Sequence, residues 1–240
     1  MPVGLNQATT LYHNHGGGLF SDRSAAAGLA AATRPYLGFG LAALDANNDG
    51  RLDLVQANGH VTDFGPSFPY EMRAQLLLSD ASGRFRDVSE QAGPPWLVPR
   101  LGRGLAVGDI DNDGRVDVLI VGQGAPLALF HNQPAPAAGQ FLTLALEGVA
   151  SNRDGVGATV TVTAGGRSQV AARFGGGSYL SASDPRLHFG LGAARRADRV
   201  EVRWPSGRTD TYEGLTAGAG YRLREGDPAP RRLAGFAAAP

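Results

Sequence analysis

Apolar and polar residues alternate along this chain in runs of four to eight, the two-residue period of half-buried strands and not the wider spacing of helices. Within residues 36–93 the pattern predicts strands at Phe39 to Leu44, Leu52 to Ala57, Gln75 to Leu78 and Arg84 to Val88. The last pair closes as a hairpin at Ala81-Ser82-Gly83, and the stretch from His60 to Met72, rich in Pro, Phe and Gly, is expected to be a loop. Leu52 and Leu54 flank Asp53, and Val116 and Val118 flank Asp117, so each pair is expected to anchor an apolar strand face.

The pattern repeats. The segment GFGLAALDANNDGRLDLVQANG from Gly38 lies over GRGLAVGDIDNDGRVDVLIVGQG from Gly102, with Asp45 over Asp109. GLFSDRSAAAGL from Gly18 likewise lies over GRFRDVSEQAGP from Gly83. A third marker reads Leu11-Tyr12-His13-Asn14, Leu77-Leu78-Ser79-Asp80 and Leu129-Phe130-His131-Asn132. Four short strands per unit, recurring at this spacing, predict the blades of a β-propeller. The chain holds about two and a half units where a closed ring needs about four. The expectation is therefore a partial propeller over residues 1–135, an exposed edge, and a longer protein, a missing N-terminal part or another chain completing it.

Composition narrows the partners. The 35 glycines and 15 prolines fit many tight turns and an all-β chain. Lys+Arg and Asp+Glu both total 22, which leaves no net field to gather nucleic acid. With no cysteine there are no disulfides and no thiolate metal sites. No apolar run is long enough to insert in a membrane, and the first residues, MPVGLNQATT, do not read as a signal peptide.

The chemistry sits between the first two strands of each unit. Residues 45–53 and 109–117 both follow the pattern D-x-[DN]-x-D-G-x-x-D. Oxygen side chains at the first, third and fifth positions converge in a tightening loop, the glycine permits a positive φ, the seventh residue offers its carbonyl, and the ninth carboxylate closes the cage. The ligand set is Asp45, Asn47, Asp49, Arg51 and Asp53 in the first loop, and Asp109, Asp111, Asp113, Arg115 and Asp117 in the second. Hard oxygen ligands favour Ca2+. Position twelve holds Gln56 or Ile120 where an EF-hand needs a glutamate, so neither loop is one. The second loop carries four carboxylates against three, because Asn47 replaces an aspartate, and is expected to bind more tightly. Asp, Asn and Gly also make ordinary polar turns, but a turn has no need of the ninth-position carboxylate.

These loops resemble the FG-GAP or VCBS repeats of integrin-like β-propellers, which implies a structural calcium ion that fastens a blade. After the spacer from Gln133 to Gly139 the blade pattern stops. Thr159 to Thr163 with Ser168 to Ala172, and Arg199 to Trp204 with Thr209 to Tyr212, read as hairpins of a small β-sandwich or barrel over residues 140–226. The segments SNRDGVGATVTVTAGGRSQVA, GGGSYLSASDPRLHFGLG and VEVRWPSG resemble the ASPIC/UnbV domain of the cartilage acidic protein family and its bacterial relatives. That resemblance implies an extracellular or cell-envelope adhesion protein and supplies no catalytic residues. Residues 227–240, mixing Pro, Ala and Arg, are expected to be disordered.

A non-enzymatic binding module with a protein or glycan ligand is thus the first reading. An enzyme or enzyme-accessory domain acting on a glycan or secondary metabolite is the alternative, with Asn152, Arg153, Asp154, Ser178, Tyr179, Ser183, Asp184 and His188 as its polar cluster. Those residues serve equally as turn and strand-end partners. His13 and His131 fall at equivalent repeat positions and read as structural, and His13-x-His15 alone lacks the further ligands of a zinc site. Trp96, Trp204, Phe64, Phe68 and Tyr70 are either an aromatic contact surface or core.

Overall fold

A computed structural model describes residues 7–133 and 139–236. The chain is all-β, built from several small sheets. In chain order β1 (Tyr12–Gly16) and β2 (Leu19–Asp22) form a hairpin. A short helix, α1 (Leu29–Thr33), precedes β3 (Gly38–Leu44), β4 (Asp53–Asn58), β5 (Gln75–Ser79) and β6 (Phe85–Asp87), which make one antiparallel sheet in sequence order. β7 (Gly102–Gly108), β8 (Asp117–Gly122) and β9 (Ala128–Phe130) make a three-stranded sheet of the same order. The four strands expected in the first complete unit are thus present, within a residue or two of their expected ends.

Three expectations need correction. Leu52 does not anchor a face: it is 61% exposed, while Asp53, Val55 and Ala57 are each fully buried on the opposite side of β4. Val55 and Ala57 pack with Leu105, Val118 and Trp96, and Leu54 turns to a second cluster with Leu29 and Leu77. A strand covered on both faces buries its polar positions too, so alternation alone misassigns its core side. Only in the second unit do Val116 and Val118 both enter the core. The third repeat marker slides by one residue in its middle copy. Leu54 pairs with Leu77 as Val118 pairs with Phe130, which sets Leu78 against His131 and Ser79 against Asn132. Finally, residues 227–236 are not without structure: β17 (Arg231–Arg232) pairs with Tyr221 and Arg222, and Phe236 packs against Phe141. Residues 237–240 and most of the spacer, 134–138, lie outside the described residues.

The β3 and β7 sheets meet closely. A Cβ on Gly40 would fall within 2.9 Å of three atoms of Arg103 and Leu105, so no larger residue fits there without moving backbone.

The second half forms two four-stranded sheets. β10 (Gln140–Glu147), β11 (Thr159–Ala164), β12 (Arg167–Ala172), β13 (Leu187–Gly192), β14 (Arg196–Arg203), β15 (Thr209–Thr216) and β16 (Ala219–Arg224) assemble with β17 as β13-β10-β16-β17 and β12-β11-β14-β15. Leu142, Phe189 and Leu223 of one sheet share a core with Val160, Val202 and Tyr212 of the other, as in a two-layer sandwich. Trp204 is 2% exposed and donates from Nε1 to Asp210 Oδ2 at 2.8 Å, which gives its one polar atom a partner inside that core.

Glu225 closes one end of the sandwich. Its Oε2 accepts the backbone N–H groups of Val149, Ala150 and Ser151 at 2.7 to 2.8 Å, and its Oε1 accepts from the Ser206 and Ser151 hydroxyls. Burial alone would raise its pKa, but these donors outweigh burial and hold it at about 2, against 4.5 for a free side chain. A depressed folded-state pKa stabilises above the unfolded value, and that contribution is lost as pH falls from about 4.5 towards about 2. Glu225→Gln is expected to be less stable than wild type at pH 6 and to lose less stability between pH 5 and 2. Thermal unfolding of both proteins across that range checks it; parallel curves would exclude Glu225 as an acid-sensitive contact.

Candidate metal centre

Each D-x-[DN]-x-D-G loop joins the first two strands of its sheet. The glycine at the sixth position, Gly50 or Gly114, has φ of 83° in both loops, and the fourth residue, Asn48 or Asn112, sits at 59° or 60°. The positive φ at Gly50 and Gly114 is open to glycine at no steric cost, and asparagine tolerates it better than most residues.

The first-position carboxylates organise the turns. Asp45 accepts the N–H of Asp49 at 3.0 Å and of Gly50 at 2.7 Å, and Asp109 accepts from Asp113 at 3.1 Å and Gly114 at 2.9 Å. Asn47 and Asp111 each accept a further bond from the fifth residue's N–H. The ninth-position carboxylates do what a simple turn does not require. Asp53 accepts from Ala46 at 3.0 Å and from Ser79 at 2.8 Å, and Asp117 accepts from Ile110 at 3.1 Å and Asn132 at 2.8 Å. Each therefore ties its own loop to the end of the third strand of the sheet or the residues just after it. Arg51 and Arg115 point back to pair with Asp49 and Asp113.

The two loops carry the same electrostatic problem. Asp45 and Asp109 are 5% and 4% exposed, and burial pushes both up to about 6, aided by neighbouring loop aspartates. Burial also raises Asp53. Carboxylates whose charge is costly where they stand are a donor set suited to a cation. In the second loop one oxygen each of Asp109, Asp111 and Asp113 lie within 4.8 Å of one another, and so do ligand atoms of Asp111, Asp117 and His131. In the second loop the residues present fit a divalent ion, whereas Asp45, Asp49 and Asp53 of the first do not bring three carboxylate oxygens that close. When bound, such an ion would neutralise the carboxylates and draw in the loop, with Asp45, Asn47, Asp49 and Asp53, or their second-loop counterparts, holding it.

The second half of the chain sits on both loops, which the sequence did not reveal. In the first, the carbonyl oxygens of Asn47 and Asn48 accept from Gly139 at 3.0 Å and Gly192 at 2.8 Å, and those of Asp49 and Gly50 accept from Arg167 at 3.0 and 3.2 Å. His188 Nε2 meets Asn48 Oδ1 at 2.7 Å, and Asn48 Nδ2 donates to Gly114 of the other loop at 2.8 Å. In the second, Arg186 donates to Asn112 Oδ1 at 2.5 Å and to the Asp109 carbonyl at 2.6 Å, while Asp184 grips the same guanidinium. Burial first, then the nearby Arg186, holds His188 down at about 4, so it is neutral at ordinary pH.

Several of the polar residues considered for catalysis bond across to the first half. Ser178, Ser183, Asp184 and His188 bond to Leu41, Val107 and Asn48 of the first half, and Asn152 holds its own turn through Val156. A cavity of about 280 Å³ is lined by Asp109, Asp117, Asp184 and Arg186 among others, and one of about 440 Å³ by Thr9, Phe39, Gln56 and Val61. Of the aromatic candidates, Trp96 and Trp204 are core, whereas Phe64 and Phe68 are exposed beside each other in the loop after β4.

A family model described as ASPIC and UnbV matches residues 148–230, and one described as FG-GAP-like repeat matches residues 67–120, which hold the second loop. Cartilage acidic protein 1 of Mus musculus is 27% identical over 260 aligned residues, covering 85% of this chain and 39% of that protein. Its Homo sapiens counterpart is also 27% identical, with 85% and 38% covered. The chain thus spans about two fifths of the length of the curated relatives it matches. A solved structure of a candidate cell adhesion protein from Bacteroides ovatus aligns with 81% of this chain and 84% of its own, at 12% identity and a TM-score of 0.24.

Proposed function

We propose that this chain, which carries an ASPIC and UnbV domain and an FG-GAP-like repeat and is distantly homologous to cartilage acidic protein 1 over most of its length, is a calcium-stabilised binding and adhesion module without catalytic activity of its own. The observation that carries this is the repetition of one loop geometry at one place in two sheets, each time with a buried ninth-position carboxylate bonded to the end of the third strand or just past it. The β3 and β7 sheets are read as successive blades of a larger propeller, and the ions as their fasteners.

Oxygen-only loops that keep some exposure fit the weak calcium sites of extracellular modules, which work at about 0.1 to 1 mM free calcium. An extracellular or cell-envelope setting, the one the family resemblance implies, is in keeping with that range. Phe64 and Phe68, set edge to face, with the exposed Val61 of the same loop, are the proposed contact surface for a protein or glycan ligand, since exposed rings supply apolar area at low entropic cost.

Calorimetric titration of CaCl2 into the wild-type chain is expected to show two binding events and a rise in the thermal midpoint that EDTA reverses. Asp113→Ala removes one event, the tighter, together with part of the rise. A folded wild-type protein that takes up no calcium would reduce both loops to polar turns.

A further inference from the structure

The two loops are not equivalent, and the difference lies beyond the nine-residue pattern. We propose that the second loop carries a mixed nitrogen and oxygen site, made by Asp111, Asp117 and His131, that takes a borderline divalent cation such as Zn2+, while the first loop admits only hard cations.

The imidazole is placed just past β9, which pairs with β8, the strand that the loop runs into. His131 Nε2 stands 3.1 Å from Asp111 Oδ2, 3.7 Å from Asp113 Oδ2 and 4.0 Å from Asp117 Oδ1. Two ligands at the tetrahedral angle about 2.1 Å from one ion lie about 3.4 Å apart, so these separations bracket the edge that a small coordination shell would need. The other ring nitrogen, Nδ1, lies 3.0 Å from Gln133 Nε2; turning that amide over would set its oxygen to accept from Nδ1–H, the outer contact that leaves Nε2 free to ligate. The imidazole is about half exposed, which leaves the ion a way in, and Asp117 beneath it is almost wholly buried.

The internal repeat is the control for chance proximity. By strand register, the residue equivalent to His131 in the first unit is Leu78, and the residue equivalent to Asp111 is Asn47. Both exchanges fall at the mouth of the cage, and together they remove one nitrogen and one charged oxygen from the same side. Imidazole suits zinc and its neighbours, whereas Ca2+ takes oxygen. Because Asp111 belongs to both the oxygen triad and the mixed set, the two ions are expected to compete at the second loop and not at the first.

This rests on the reading of the loops as cation sites, and the test separates the two. Full-length wild type, His131→Leu, which copies the first unit, and His131→Gln are titrated with CaCl2 and with ZnCl2 by calorimetry, and with CoCl2 by visible absorption. The wild type is expected to bind one Zn2+ and to give a Co2+ spectrum of low-symmetry coordination. Both variants should lose more than about tenfold in Zn2+ affinity, the least that removal of even an outer-shell partner costs, and keep both calcium sites. Equal Zn2+ affinity in wild type and variants, or no Zn2+ binding where calcium still binds, would overturn the mixed site. Failure of both ions to bind a folded protein would instead overturn the calcium reading beneath it.

Discussion

Asp117→Ala is expected to lower the unfolding free energy by about 3 kcal/mol in EDTA and by more in saturating calcium. The carboxylate is 2% exposed and is the acceptor for two backbone donors, Ile110 N–H at one end of the loop and Asn132 N–H beyond β9. Alanine leaves both without a protein partner, and each buried orphan costs about 1 to 3 kcal/mol. Part of that sum is returned because a buried negative charge is also removed. Urea unfolding with and without ion checks the expectation. A loss confined to the calcium-loaded protein would mean that the carboxylate serves the ion and not the sheet. A loss equal in both conditions would mean the reverse.

Gly190→Ala is expected to be the most damaging change in the second half, at about 3 kcal/mol, the upper part of the range for overpacking. A methyl group there would overlap Asp45 Oδ2 and the backbone of Asn48, and backbone cannot step aside as a long side chain can. The substitution therefore pushes β13 off the first loop. Because the sandwich core and the core between the β3 and β7 sheets share no residue, each half can persist while the contact fails. Calorimetry should then show two separated unfolding transitions in place of a joint one, with calcium affinity reduced at the first loop. Gly176→Ala, where an added methyl group meets nothing within 4 Å and φ is unexceptional, is the matched control. Identical melting curves for the two variants would show that the close approach at Gly190 is not holding the halves together.

Much of the local structure was legible because its causes are local. The strands of residues 38–88 follow from alternation and from turn residues, and the hairpins at residues 159–172 and 196–216 from Gly165-Gly166 and Pro205-Ser206-Gly207. The two loops were readable because their polar side chains lie within nine residues, so spacing alone brings them to one turn.

Where the reading failed, the cause was long-range. Leu52 looked like a core residue by alternation, yet the opposite face of β4 faces the β7 sheet, and only the neighbour decides which face is inside. The approach of His131 to Asp111 was hidden because nothing in sequence measures the 20 residues that separate them against the strand pairing that closes the gap. The slip of one residue in the third marker hid the same fact, since it set Ser79 where Leu78 belongs. The tail looked disordered because its composition lacks periodicity, but two arginines suffice to pair with β16, and Phe236 finds Phe141.

By itself, then, the sequence determined the all-β class, the repeat, the change of pattern near residue 140 and the nine-residue loops, all of which depend on residue types at short separations. Tertiary structure alone decided that the second half sits on both loops, through donors such as Arg167 and Arg186 reaching main-chain carbonyls more than 70 residues away. It also decided that one loop gains an imidazole that the other lacks. Main-chain carbonyls are present at every position and bear no sequence mark, so a surface built from them becomes visible only when the two halves meet.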